Sequence, residues 1–205
     1  MIIYNKASVP EHRVGETTIE LVDKAIVKKT LSGPMHCRKH KDEWMESYKT
    51  LSDNNSVYVK VYDILDDRSY TMEYIPNCVS VSELLMKKTQ GYRPSEFNLE
   101  DTHVGKLTYQ ERFELIPEIW NTYSIVWSDS FKYNTHRHPG SVFANNDLSI
   151  RQFVFDTDMN IRLLDVDEYK YIETRKYPKE TDVKKHWDEF NTTLNNFLSH
   201  HHNHL

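Results

Sequence analysis

The sequence predicts an α+β fold whose N-terminal part is an antiparallel sheet with one helix and whose C-terminal part is mostly helical with one β-hairpin. Short segments rich in β-branched and aromatic residues fill residues 17–29 and 57–75. Apolar residues recur at helical spacing in residues 35–51 and again in residues 108–130. Two apolar runs, 153–155 and 161–164, flank the Asp- and Asn-containing segment D-T-D-M-N, which is the pattern of a hairpin.

The composition predicts a soluble globular protein. The 205 residues carry a formal net charge of −5, with 28% charged and 38% hydrophobic residues, so nothing indicates a nucleic-acid partner. No segment approaches the roughly 20 apolar residues that a membrane span needs, and no membrane partner is expected. Two cysteines are too few for a disulfide framework, which favours reduced thiols and a cytoplasmic location.

The N-terminal part reads as strand, strand, helix, strand and strand. Residues 17–22 and 25–29 are two predicted strands separated by a turn. The helix over 35–51 follows the S-G-P break at 32–34 and presents Trp44, Met45, Tyr48 and Leu51 on one side. Residues 57–75 form two further predicted strands around an acidic turn.

The segment at 145–169 carries the acids on which a functional interpretation depends. Asp147 precedes the predicted hairpin and Asp165 follows it, 165 − 147 = 18 residues later. Because a hairpin brings its two ends together, both carboxylates are expected at one edge of a small sheet. The alternative is a hairpin whose acids simply face solvent, since Asp is common next to strands and turns.

This arrangement resembles the catalytic segment of the protein-kinase-like superfamily, in which H-x-D-x-x-x-x-N precedes a hairpin and D-x-G or D-x-D/E follows it. Asp147 matches the catalytic acid, and Gln152 stands in the position of the metal-binding Asn. Asp165 and Asp167 match the second acidic motif. The sequence departs from the family pattern because Asn145 replaces the usual His and Gln152 replaces Asn.

The N-terminal part resembles the same superfamily, nearest to its aminoglycoside phosphotransferase and choline-kinase-like small-molecule kinases. A-I-V-K at 25–28 is similar to the strand that ends in a phosphate-binding lysine. Lys28 fits that pattern better, and Lys29 is the alternative because a slip of one residue changes the face of a strand. The following helix would supply a glutamate that pairs with this lysine, Glu43 or, as the alternative, Glu46.

The stretch M-E-Y-I resembles the hinge whose backbone binds the adenine edge. Met72 would be the gatekeeper-like residue, and Glu73, Tyr74 and Ile75 would form the hinge. The glycine-rich loop of the family is missing, because Gly15 is the only glycine before Gly33.

The resemblance implies a minimal two-lobed protein-kinase-like fold, with an N-lobe of residues 1–75 and a reduced C-lobe of residues 76–205. It implies ATP and Mg²⁺ as cofactors and a hydroxyl-bearing small molecule or protein as substrate. Asp147 would orient the hydroxyl, and the metal ligands would come from Asp165, Gln152 and Asp167. Residues 136–138, H-R-H, lead into this segment and are interpreted as lining a substrate or phosphate site.

Two alternatives from other functional classes remain open at this point. The departures at 145 and 152 and the missing glycine-rich loop favour a pseudokinase, a kinase-shaped binding or regulatory protein without turnover. The acidic cluster also allows a nuclease-like metal hydrolase. The retained acids and the candidate lysine–glutamate pair favour the kinase.

Overall fold

The N-terminal part contains the antiparallel sheet that the sequence predicts, with a fifth strand, β1, in addition to the four predicted ones. A computed structural model describes residues 2–6, 17–35, 40–86, 98–132, 138–146, 148, 152–177, 184–185, 187–188 and 191–192. The strands are β1 (Ile2–Lys6), β2 (Thr17–Asp23), β3 (Ile26–Thr30), β4 (Val61–Ile64) and β5 (Ser69–Glu73), arranged in the order β1-β2-β3-β5-β4. Strand β3 is therefore central and pairs with β5, which lies about 40 residues later in the chain.

One helix packs beside this sheet. Helix α1 spans Lys41–Asn54 and buries Trp44, Tyr48 and Leu51, three residues of the predicted apolar face. The predicted helix began at residue 35, but Met35 lies outside α1 and is bonded through its backbone N–H to the carbonyl of Asp67.

Further α-helices lie in the described residues of the C-terminal part. They are α2 (Val81–Met86), α3 (Tyr109–Glu114) and α4 (Ile116–Lys132). The predicted capping box begins α3, where Thr108 and Glu111 exchange side-chain-to-backbone hydrogen bonds. The long helix predicted over 108–130 is interrupted at Leu115, so that Pro117 lies in the first turn of α4, where its missing N–H costs no helical hydrogen bond.

The predicted hairpin is present as β8 (Phe153–Phe155) and β9 (Ile161–Leu163). Strand β6 (Val79–Ser80) adds to it in the order β6-β8-β9. The sequence interpretation did not include a second pair, β7 (Ser141–Asn145) with β10 (Tyr169–Glu173), which we call the β7–β10 ribbon. The first residues of the strand predicted from 57 are also outside the sheet, because Tyr58 forms a bridge to Leu163 and β4 begins only at Val61.

One hydrophobic core joins these parts. It contains Trp44 and Tyr48 from α1, Met72 from β5, Phe155 from the hairpin and Tyr169 from the ribbon. The division into residues 1–75 and 76–205 stays a prediction, and residues from both sides share this core. Within the described part of the chain, no helix combines the length and apolarity needed to cross a membrane.

The loop between residues 98 and 107 gives a test of this packing. A Cβ built on Gly105 would lie 1.7 Å from the carbonyl oxygen of Leu99, a backbone atom that cannot swing away. The Gly105 carbonyl also accepts a hydrogen bond from Nη2 of the buried Arg112 at 2.7 Å. We expect Gly105→Ala to lower the free energy of unfolding by about 1–3 kcal/mol, the usual cost of overpacking.

Gly33→Ala is the matched control for that variant. No atom lies within 4 Å of a Cβ built there, so its effect should stay within about 0.5 kcal/mol. Urea unfolding of both variants measures the difference. Equal stability of the two would contradict the close backbone approach at Gly105.

Candidate active site

Strand β3 directs one of its two lysines toward the C-terminal part of the chain. Val27 is buried in the core, and successive side chains of a strand point to opposite faces. Lys29 therefore shares the face of Val27, and Lys28 lies on the other face. The Lys29 side chain is only 12% exposed. The structure therefore brings Lys29 to the acids, which was the alternative to Lys28 in the sequence-based prediction.

Lys29 bridges the two carboxylates of the D-x-D motif. Its Nζ lies 2.9 Å from Oδ1 of Asp165 and 2.6 Å from Oδ1 of Asp167. The hydroxyl of Tyr70 donates a further hydrogen bond of 2.7 Å to the same Oδ1 of Asp167. Tyr70 is fully buried and lies directly opposite Lys29 in the β3–β5 register. Bonds this short between charged groups are the strong class of protein hydrogen bonds.

The cluster shifts the pKa values of its two acids in opposite directions. Burial raises the pKa of Asp165, and the charge of Asp167 adds to the rise while Lys29 opposes it. Burial also acts to raise the pKa of Asp167, but the Lys29 charge and the hydrogen bonds from Lys29 and Tyr70 outweigh it and hold that pKa below its usual range. Burial disfavours the charged form of Lys29, yet the surrounding Tyr70, Asp167 and Asp165 keep its pKa well above the usual value. The lysine is therefore a cation at neutral pH.

Two amide side chains lie next to Asp165, one at its backbone carbonyl and one at its carboxylate. Asn145 Nδ2 donates to the Asp165 carbonyl at 2.9 Å. Gln152 Nε2 lies 3.5 Å from Asp165 Oδ2, a long contact. Rotation of that amide by 180° would present its oxygen on the same side. The predicted Gln152 therefore lies beside the predicted Asp165.

The predicted catalytic Asp147 lies outside the described residues. Its neighbour Asn146 donates its backbone N–H to the carbonyl of Glu168 at 2.9 Å, which extends the β7–β10 ribbon by one residue. The chain just before residue 147 thus runs beside the residue that follows Asp167.

Glu43 contacts a histidine in this structure. Among the described residues, the acids within ion-pair distance of Lys29 are Asp165 and Asp167. Glu43 Oε1 lies instead 3.0 Å from Nε2 of His138. The alternative glutamate, Glu46, is exposed on α1.

The predicted hinge residues lie at the end of β5. Met72 is buried between Val27 of β3 and Val61 of β4. Glu73 pairs through its backbone N–H with the Lys60 carbonyl, and its carboxylate accepts from Arg162 Nη2 at 2.6 Å. The backbone N–H of Tyr74 donates to the Ala25 carbonyl, and Ile75 is buried.

Two of these contacts involve residues that the sequence interpretation missed. Tyr70 and Arg162 carry no motif, and each meets its acid only through pairing between distant segments. The aromatic and apolar residues of β5 predicted the strand, but they did not indicate which group the Tyr70 hydroxyl contacts.

The donor set fits one magnesium ion better than a larger metal centre. Within the described residues, no group of three or more His, Cys, Asp and Glu side chains could hold a metal. Magnesium is usually bound through one or two carboxylates together with substrate phosphates and water, and it requires only hard oxygen ligands. Asp165, 37% exposed, offers such a ligand at the edge of the cluster, and Asp167 is 13% exposed.

Three solved structures that resemble this chain are small-molecule kinases, the class that the sequence motifs resemble. A choline kinase from Streptococcus pneumoniae shares 12% identity at a TM-score of 0.40, covering 97% of this chain and 74% of that one. A choline kinase from Cryptosporidium parvum shares 13% identity at 0.33, covering 83% and 60%. A microcompartment-associated aminopropanol kinase shares 10% at 0.37, covering 91% and 73%. No protein-family model and no curated protein matches the chain.

Replacing Lys29 tests the electrostatics of the cluster. In Lys29→Met, two neighbouring carboxylates lose their counter-ion, which costs about 3–5 kcal/mol when a pair is fully buried. Because Asp165 is partly solvated, we expect a smaller loss of about 2–3 kcal/mol at pH 7. Lys28→Met, on the opposite face of the strand, is the matched control and should lose less than about 0.5 kcal/mol.

The loss in Lys29→Met should depend on pH. The lowered pKa of Asp167 means that its contribution to stability is present above the usual aspartate range and disappears as the pH falls through the folded value. As the pH falls through the folded pKa of Asp167, the bridge loses a charged partner, and the difference between Lys29→Met and the parent should shrink. Urea unfolding over a pH range that runs from 7 to well below the usual aspartate pKa of about 3.9 measures it. A difference that is constant over this range would contradict the bridge.

Proposed function

We propose that this protein is an ATP- and Mg²⁺-dependent phosphotransferase that moves the γ-phosphate to a hydroxyl group of a small molecule or protein. The observation that carries the proposal is the convergence of Lys29 with Asp165 and Asp167, which are 136 and 138 residues away in the chain. A metal–polyphosphate complex contains both a cation and negatively charged phosphates. A buried cation can bind its phosphates, and a partly exposed carboxylate can bind its metal.

Several of the predicted residues have a role in this proposal. Lys29 would bind phosphate oxygens, while Asp165 would hold Mg²⁺ together with the amide oxygen of Gln152. The bound metal would neutralise charge on the phosphates. Asp147 accepts or orients the proton of the attacking hydroxyl.

The remaining roles belong to the predicted hinge and to the second acid. The backbone of residues 73–75 binds the edge of the base, beside Met72. Asp167 stands with Asp165 at the same cluster. Such transfer depends on positioning and charge neutralisation, so no nucleophilic side chain is needed. A cytoplasmic location, where ATP is present, completes the proposal.

A pseudokinase is the second candidate, and one observation favours it. Lys29 already satisfies both carboxylates, at 2.9 and 2.6 Å, and the Gln152 amide faces the outer oxygen of Asp165. A cluster in which every charge has a partner needs no metal for stability. In that case the protein would bind nucleotide, or a partner protein, without turnover.

Thermal unfolding with ATP separates the two candidates. A ligand that binds only the folded state raises stability by about 2.7 kcal/mol at 100 times its dissociation constant. For a chain of this length that corresponds to a rise of the melting temperature of about 5–10 °C. We expect this rise with ATP and Mg²⁺ together, a smaller one with ATP alone, and loss of the Mg²⁺ increment in Asp165→Asn.

Asp63→Asn is the matched control for that experiment, because Asp63 is an exposed acid on β4. It should retain the full Mg²⁺-dependent rise. A rise that is independent of Mg²⁺ would support the pseudokinase. If no nucleotide shifts the melting temperature of the parent protein, the proposed phosphotransferase is wrong.

A further inference from the structure

The two acids of the D-x-D motif are held in different ways. The Oδ1 atom of Asp167 receives two short hydrogen bonds from the N-terminal sheet, from Lys29 Nζ at 2.6 Å and from the Tyr70 hydroxyl at 2.7 Å. Its side chain is 13% exposed. Both donors belong to neighbouring strands and lie opposite each other in register, so the sheet itself fixes where Asp167 is held.

Asp165 has the more open position. Its side chain is 37% exposed, nearly three times the exposed fraction of Asp167. Lys29 reaches its Oδ1 at the longer distance of 2.9 Å, and its Oδ2 has the long contact of 3.5 Å with Gln152. A ligand that approaches from solvent therefore meets Asp165 before it meets Asp167.

The helix glutamate that could hold the lysine lies beside a histidine instead. Glu43 Oε1 lies 3.0 Å from His138 Nε2, and the His138 ring stacks on Tyr171 with 3.9 Å between ring centroids. The Tyr171 hydroxyl forms a 2.8 Å hydrogen bond with Ser47 of α1. The bond between Tyr171 and Ser47 joins α1 to the β7–β10 ribbon, and Glu43 lies beside this contact.

We propose that Asp167, positioned by the Tyr70 hydroxyl, is the carboxylate that anchors Lys29, and that Asp165 is the acid of the motif that binds the metal. This inference rests on the proposed function for the role of the metal, and it assigns Asp167 to the lysine instead of to a second metal ion. Tyr70 is then a positioning residue that acts through Asp167.

Physical reasoning supports the division of roles. A lysine ammonium is a point charge on a flexible four-carbon chain, and it loses considerable side-chain freedom when it is held in one place. A buried carboxylate with a fixed second donor can hold it there. An acid that already accepts two short hydrogen bonds on one oxygen is also a poorer ligand for Mg²⁺, which requires near-ideal octahedral geometry.

The anchoring is tested without nucleotide, by double-mutant cycles read as melting temperatures. Lys29→Met is combined in turn with Tyr70→Phe, with Asp167→Asn and with Glu43→Gln. We expect the decreases in melting temperature caused by Lys29→Met and Tyr70→Phe to be clearly non-additive. The same should hold for Lys29→Met combined with Asp167→Asn. The drops of Lys29→Met and Glu43→Gln should add. Additivity of Lys29→Met with both Tyr70→Phe and Asp167→Asn would overturn the proposal, whatever the cycle with Glu43 shows.

The metal assignment is tested by calorimetric titration of ATP with and without Mg²⁺. Asp165→Asn should abolish the improvement in affinity that Mg²⁺ gives, while Tyr70→Phe and Asp167→Asn should keep it to within about threefold, which is less than 1 kcal/mol. Equal loss of the Mg²⁺ effect in Asp167→Asn and Asp165→Asn would overturn the assignment. Tyr70→Phe removes a single hydroxyl, so it remains informative if Asp167→Asn does not fold.

The two tests separate the inference from the proposed function. If ATP does not bind the parent protein at all, the phosphotransferase and the metal assignment both fail, and the double-mutant cycles still decide whether Asp167 and Tyr70 anchor Lys29. If ATP binds with the expected Mg²⁺ effect but the cycles with Asp167 and Tyr70 are additive, the function stands and the anchor fails.

Discussion

The ion bridge from Lys29 to Asp165 and Asp167 is the interaction on which the candidate site depends. It joins the central strand of the N-terminal sheet to the segment that follows the hairpin, across more than 130 residues of chain. A buried ammonium costs several kcal/mol in desolvation and is tolerated only with well-aligned partners. The three groups, one lysine and two aspartates, together carry one net negative charge.

The surrounding structure fixes both ends of this bridge. On one side, the pairing of β3 with β5 sets Lys29 opposite Tyr70. On the other, Trp44 of α1 donates its indole N–H to the carbonyl of Tyr169, and the acids lie immediately before that residue. Arg162 ties the hairpin to Glu73 at the end of β5 at 2.6 Å. The acids and the lysine are therefore positioned by packing contacts that pass between the two parts of the chain.

Local patterns in the sequence predicted the α+β class, the N-terminal sheet, the 153–163 hairpin and the capping box, because each depends on residues close together in the chain. The choice between Lys28 and Lys29 was beyond such patterns, since it depends on the pairing of β3 with β2 and β5, including an irregularity of register near Asp23. The contact of Glu43 with His138 depends on the β7–β10 ribbon. The alternation of residues 169–173 is typical of a strand and indicates β10, but no local pattern indicates that β10 pairs with β7.

Labelling with an acyl-phosphate derivative of ATP tests the central claim most directly, because such a probe acylates a lysine that lies at the phosphates it binds. Mass spectrometry then identifies the modified residue. We expect Lys29 to be labelled, and we expect excess ATP with Mg²⁺ to suppress that labelling, while Lys28 on the opposite face reacts no faster than other surface lysines. Labelling spread over the exposed lysines and unaffected by ATP, with Lys29 unmodified, would contradict a nucleotide site at this bridge.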